Sequence, residues 1–369
     1  MKKVKMILTN GFGPDVRVYK EAKYLVSKGF DVEILCWDRE NEFAGAESDN
    51  VDGIRIKRFF PAAKYGTGYR QLKPYFQFIR ECKDYLSDLD YDYLHCHDLD
   101  GIIAGWFISK KGAALVFDMH EFYEVNGPRR QRLRYLVRAV VKFFQNRSDY
   151  IIYVNEAQAK PVSRRNSKKL VFLPNYPEQK MYAGCQKIPS EKLRIAYIGG
   201  VRQFDELKNL FDACKDMSDV SISVHGAGVA YAALKEVSRQ YPNVAVTGRY
   251  HYSESGRLYA DTDLLYVMYP STSEQYLVSY PVKFYEAIIT KTPMIVGTNT
   301  VLDEFVMEHD IGFVVDGSNV DDIRSLIEQI RRKPDLLRNK VENLRSIQHD
   351  YSWDHVVQNL DKIYNWPLQ

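Results

Sequence analysis

The chain has 369 residues, a formal net charge of +3, 45% hydrophobic and 27% charged residues. That length allows two domains, the balance is globular rather than disordered, and the charge is too small to indicate nucleic acid. Five cysteines, Cys36, Cys82, Cys96, Cys185 and Cys214, are scattered without a paired motif, which argues against a disulfide framework or a zinc ribbon. No signal segment is read at the amino terminus and no apolar run approaches the ~20 residues of a membrane span. A cytoplasmic protein is expected.

The first half opens as one parallel crossover unit. Val4 to Leu8 reads as a strand and Asn10-Gly11-Phe12-Gly13-Pro14 as a tight loop. A helix from about Asp15 carries Val18, Ala22, Leu25 and Val26 as its stripe and stops at Gly29, and Val32 to Cys36 is the next strand. Gly11 and Gly13 let a ligand come close to the backbone, with Arg17 in reach of the same loop. The alternative is a mere tight turn, since the third Gly of the dinucleotide fingerprint is absent.

Ile54 to Arg58 is a further strand, and Tyr69 to Leu86 a helix that Pro74 kinks or restarts. Tyr93 to Cys96 is a strand. His95-Cys96-His97-Asp98 invites a metal, but adjacent strand residues point to opposite faces and zinc spacings are absent, so no metal is expected. Asp98 or Asp100 is expected to start the helix that holds Ile102, Ile103 and Trp106. Leu115 to Phe117 leads into Asp118-Met119-His120-Glu121-Phe122. Open parallel sheets bind ligands beyond the carboxyl ends of their strands, which is where His120 falls.

Gly127 to Asn146 carries Arg129, Arg130, Arg132, Arg134, Arg138 and Lys142 opposite Leu133, Leu136, Val137, Val140, Val141 and Phe144. Such a helix either lies on an anionic membrane surface or packs on the core with a solvated basic face. Strands Ile151 to Val154 and Leu170 to Leu173 complete the first sheet. Ala183 to Glu191, weakest in pattern, is expected as a hinge.

Strand, loop and helix then begin afresh. Leu193 to Ile198 is a strand, Gly199-Gly200 a loop, and Leu207, Leu210, Phe211 and Cys214 the stripe of a helix. Arg202 stands between them, and its fork suits a diphosphate. Ser221 to Val224, Val244 to Thr247, Leu264 to Val267 and Phe313 to Val315 are further strands, and the chain ends in helices.

Tyr280 to Val296 reads YPVKFYEAIITKTPMIV. Pro281 suits a first helical turn, Phe284, Ala287 and Ile288 form a stripe, and Met294 to Val296 is a buried strand. Lys283 and Glu286, three apart, are either a solvated face or an anion site with a hydrogen-bond acceptor beside it.

This last stretch resembles the donor-binding signature of the retaining glycosyltransferases of family 4. Glu286 matches the second Glu of the signature, while Val278 stands where the first belongs. The resemblance covers nearly the whole chain and implies an α/β, GT-B fold: two doubly wound Rossmann-like domains facing a cleft, with the last helix crossing back. The implied domains are 1–182 with 352–369, on the acceptor side, and 192–349, for the donor, joined by the hinge 183–191. The implied activity moves a sugar from a UDP- or GDP-sugar to an acceptor hydroxyl, without a metal or other cofactor. His120, Arg202, Lys283 and Glu286 take the catalytic roles. Gly11, Gly13, Gly200, Arg249, Tyr250, Tyr280, Pro281 and Val282 take donor contacts, and Arg17 and Glu121 the acceptor side. The implied partners are a nucleotide sugar and a saccharide or lipid-linked acceptor, with peripheral contact at the inner membrane face and no nucleic acid. Two alternatives stay open: a sugar-nucleotide epimerase of the same fold, and a non-catalytic GT-B partner subunit.

Overall fold

The computed structural model describes residues 1–13, 15–126, 131–270 and 274–364. Pro14 of the glycine loop, Arg129 and Arg130 of the expected basic helix, and the last five residues of the expected terminal helix lie outside them. The chain divides into two compact units: residues 1–174 with the returning segment from 357, and residues 175–356.

The first unit holds an eight-stranded sheet. Its strands are β1 (Lys3–Leu8), β2 (Asp31–Trp37), β3 (Ser48–Val51), β4 (Ile54–Phe59), β5 (Tyr93–His97), β6 (Ala114–Met119), β7 (Tyr150–Tyr153) and β8 (Leu170–Phe172). Their order is β3-β4-β2-β1-β5-β6-β7-β8. All pairs are parallel except β3 with β4. The central strands are apolar nearly throughout because helices cover both faces of such a sheet. Ile7, Leu35, Leu94, Phe117 and Ile151 pack with Phe78, Ile102 and Phe144 of the covering helices.

Strand β3 is not expected from Ser-Asp-Asn-Val, which is polar and largely exposed. Asp52-Gly53 makes it: both residues have positive φ, 52° and 84°, as a tight hairpin turn requires. The helix expected from Tyr69 runs Leu72–Tyr85. The stretch from Tyr69 to Gln71 is a 3-10 turn, and Pro74 sits in the first turn of the helix that begins after it, where a missing N–H costs nothing. The basic helix is Gln131–Arg147. Its expected apolar side divides: Val141 and Phe144 are buried, whereas Leu133 and Leu136 are exposed.

The second unit holds a six-stranded parallel sheet, β11-β10-β9-β12-β13-β14. These are β9 (Leu193–Ile198), β10 (Val220–His225), β11 (Val244–Gly248), β12 (Leu264–Val267), β13 (Met294–Gly297) and β14 (Gly312–Val315). Strand β9 pairs with β10, the next strand in sequence, on one side and with β12 on the other, so the loop after it opens at the switch point of the sheet.

The segment 183–191, expected as a hinge, belongs to the second unit. Ile188 N donates to Ala260 O at 3.1 Å, Cys185 Sγ to Gly256 O at 3.0 Å, and Lys187 Nζ to Thr292 Oγ1 at 2.6 Å. Those bonds pin it, and the units divide after Pro174 instead. The terminal helix expected over 352–369 is a short helix, Trp353–Val356, followed by a 3-10 helix, Val357–Lys362. The returning segment joins the first unit through Tyr364, whose hydroxyl lies 2.8 Å from His95 Nδ1, and Asp361, which accepts from Tyr24 at 2.8 Å. Among the described residues no helix is long and apolar enough to cross a membrane.

Candidate active site

In the second unit, β9 ends at Ile198 and is followed by Gly199, whose φ of +126° is open to few residues other than glycine. A Cβ there would lie 3.0 Å from Lys283 Cε. Lys283 occupies the first turn of the helix Val282–Ile289, with Pro281 extended at its cap (φ −73°, ψ 149°). The lysine is 7% exposed, and among the described residues its ammonium has no hydrogen-bond partner. Nζ rests 3.5 Å from the centre of the Tyr197 ring and 5.8 Å from that of Tyr269. Burial lowers its pKa to about 7, with Glu286 raising and Arg202 lowering it further. Arg202 itself is exposed on the loop after β9. A buried amine without an acceptor, beside a glycine loop at a switch point, is arranged to receive an anion.

Glu286 lies one turn further and is 4% exposed, so the reading of Lys283 and Glu286 as a solvated face is overturned. Tyr182 donates to its Oε1 and Tyr259 to its Oε2, both at 2.9 Å. Each carboxylate oxygen keeps acceptor capacity beyond one bond. Tyr250 is half-buried and pushed up to about 12 by burial and by the Glu286 charge. Arg249 is exposed next to it. Gly200 offers its carbonyl to Tyr197 Oη at 2.6 Å. Tyr280 is occupied elsewhere: its ring packs with Phe284, Tyr285 and Phe305, and its hydroxyl donates to Val301 O at 3.4 Å. Val282 and Pro281 are half-buried at the helix start.

In the first unit Arg17 corrects its expectation. It is 4% exposed, and its guanidinium turns inward: Nε and Nη2 reach the two oxygens of Asp118 at 3.0 and 2.8 Å, and Nη1 donates to Leu173 O at 2.8 Å. Asp15 caps the helix behind it through the Arg17 and Val18 amides. With Nε, Nη1 and Nη2 each already donating inside the fold, Arg17 is a buried partner of Asp118. Gly11 and Gly13 are accounted for by Phe43: a Cβ on Gly13 would lie 2.6 Å from the Phe43 ring, one on Gly11 3.0 Å. Glu121 is exposed.

His120 follows β6 and lies between two carboxylates. Nε2 is 2.7 Å from Asp118 Oδ2, and Nδ1 is 3.1 Å from Asp98 Oδ2. Burial opposes charge on the ring, but Asp98 and Asp118 outweigh it and raise its pKa well above 6.5. Asp98 does not cap the helix it starts; it serves His120 and accepts from Tyr123 at 2.9 Å. Glu21, His95, His97 and Asp118 bring donor atoms within 4.8 Å of one another. Arg17 Nε, however, lies 3.0 Å from both Glu21 Oε1 and Asp118 Oδ2. A guanidinium thus already stands between the two carboxylates, where a metal ion would add like charge.

Asp118, Tyr182, Tyr197 and Tyr259 carry the two sites without a role in the sequence reading, and Asp98 carries one of them where only a helix start was expected. A signal existed for Asp118 alone: it stands two residues before His120, and His95 and His97 share a strand face by the same spacing of two. The tyrosines reach Glu286 from residues 104 and 27 positions away, which no local pattern reveals.

The profile described as Glycosyltransferase Family 4 matches residues 13–176, and that of Glycosyl transferases group 1 matches 192–333. No curated protein sequence matches the chain. Among solved structures, sucrose-phosphate synthase from Thermosynechococcus elongatus is 14% identical with a TM-score of 0.77, over 99% of this chain and 98% of its own. Anabaena HepE in complex with UDP and glucose is 13% identical at 0.69, over 98% and 99%. WaaG, a glycosyltransferase involved in lipopolysaccharide biosynthesis, is 13% identical at 0.65, over 99% and 100%. With a Glycosyltransferase Family 4 profile matching the first unit, a Glycosyl transferases group 1 profile matching the second and solved neighbours sharing the fold from end to end, the chain is a glycosyltransferase of the GT-B fold.

Proposed function

We propose that the protein is a retaining transferase that moves a sugar from a UDP- or GDP-sugar to a saccharide or lipid-linked acceptor hydroxyl, in surface polysaccharide or glycolipid assembly. The unmet ammonium of Lys283 at the Gly199–Gly200 loop is the observation that carries this reading. Lys283 and Arg202 hold the diphosphate, the fork of Arg202 taking two oxygens at once. Glu286, fixed by Tyr182 and Tyr259, accepts from the ribose hydroxyls. Negative charge develops on the departing diphosphate, so positive groups already in place lower the barrier without a metal. His120 keeps the role that the family likeness gives it, at the donor sugar.

The donor assignment draws support from HepE, solved with UDP and glucose, and the pathway from WaaG, which acts in lipopolysaccharide biosynthesis. Exposed Leu133, Tyr135, Leu136 and Phe143 beside Arg132 and Arg138 on the helix Gln131–Arg147 support contact with an anionic membrane surface. Co-sedimentation with phosphatidylglycerol vesicles, set against phosphatidylcholine vesicles, tests that contact.

A thermal-shift panel of nucleotide sugars tests the donor site. A ligand at a hundred times its dissociation constant adds about 2.7 kcal/mol, a readable shift. One nucleotide sugar should shift the melting temperature and lose that effect in Lys283→Ala. If no nucleotide sugar shifts it, the donor reading is wrong.

A further inference from the structure

Asp98 is a non-glycine residue with a φ of +63° at the first position of the helix Asp98–Ile108. Asp and Asn adopt this left-handed conformation more readily than other side chains. The turn sends its carboxylate away from the helix amides. One oxygen meets His120 Nδ1 at 3.1 Å and the other accepts from Tyr123 at 2.9 Å.

The charges around His120 decide what that contact does. Asp118 touches the other ring nitrogen, but both its oxygens are held by Arg17. His97, whose ring centre is 5.4 Å away, has a lowered pKa because it is buried, and so adds no charge. Glu21, behind Arg17, is raised to about 8 by burial and by Asp118, and so is mainly neutral at pH 7. Arg17 offsets part of the Asp118 charge, and Asp98 is the larger counter-charge for a His120 cation.

We infer that Asp98 is a positioning residue that holds His120 as a fixed imidazolium, so that His120 meets its ligand as a cation and proton donor and not as a base. Both ring nitrogens carry a proton in this arrangement, and neither can take one from an acceptor hydroxyl. The inference rests on the reading of His120 as the residue at the donor sugar.

The test is a proton NMR titration of His120 in the full chain, its signal assigned with His120→Gln. In the wild-type protein His120 should stay protonated well above its ordinary value of 6.5. Asp98→Asn keeps the left-handed turn and the hydrogen-bonding shape but removes the charge. It should lower the His120 titration by about one to three units. Asp98→Gly accepts the same φ without strain and serves if the first variant does not fold. Turnover of the variant should fall about tenfold as pH rises through the lowered value, with nucleotide-sugar affinity unchanged. A wild-type His120 that titrates at or below 6.5, or one that titrates alike in the variants, overturns the inference. A protein that binds no nucleotide sugar would sink the donor reading alone, because the titration reads Asp98 on His120 without any ligand.

Discussion

Lys283 Nζ rests 3.5 Å from the centre of the Tyr197 ring, a cation over an aromatic face in place of a cation beside an anion. That ring compensates part of the lost hydration but not all of it, and burial brings the lysine to about 7. An arriving diphosphate restores the charge. Binding of a nucleotide sugar should therefore take up a proton above pH 7, and affinity should weaken with rising pH by up to about tenfold per unit. For stability the sign is that of any lowered group: the contribution is present above the unfolded value of 10.5 and is lost as pH falls toward about 7. Calorimetry in buffers of different ionisation heat reads the proton directly, and pH-independent affinity would contradict the assignment.

Replacing the lysine by an apolar side chain of similar length separates function from stability. Lys283→Met should lower turnover about a hundredfold, on the order of 3 kcal/mol of transition-state stabilisation. The same variant should melt at or above the wild-type temperature, because it removes an uncompensated buried amine. Near-full turnover in a folded variant would rule Lys283 out of the donor site.

Glu286 is held from both sides, by Tyr182 on Oε1 and Tyr259 on Oε2. Hydrogen bonds to a charged group contribute about 1.5–3 kcal/mol each. Tyr182→Phe and Tyr259→Phe should each lower the melting temperature, and the double variant should weaken nucleotide-sugar binding as the carboxylate swings free. Two phenylalanine variants with wild-type melting and affinity would show that Glu286 needs neither hydroxyl.

Arg17 is the only expected acceptor residue that the fold turns inward among the described ones. Arg17→Met leaves Asp118 buried with its main counter-charge gone, at a cost of about 3–5 kcal/mol. Chemical denaturation should show that loss. If the variant is as stable as the wild type and only acceptor affinity falls, the sequence-based placement was right and the buried pair is not the reason for the residue.

Much of the fold was legible in the chain itself. Apolar runs such as Ile34 to Cys36 and Leu264 to Val267 announced parallel strands, Gly29 stopped a helix, and the restart at Leu193 announced a second sheet. Arg202, Lys283 and Glu286 lie on one loop and one helix, and the likeness of that helix to the family 4 donor signature gave them their roles. These are local properties, and a local pattern reports which side of an element is apolar. It does not report what that side meets. That Lys283 is buried rather than solvated, that Glu286 is held by Tyr182 and Tyr259, that Arg17 serves Asp118, and that His120 lies between Asp98 and Asp118 follow from which strands are neighbours and which loops open at the same end of a sheet. Polar side chains in an interior must find partners wherever the fold brings them, at any distance along the chain, so the charge states of this protein's sites were decided only by its tertiary structure.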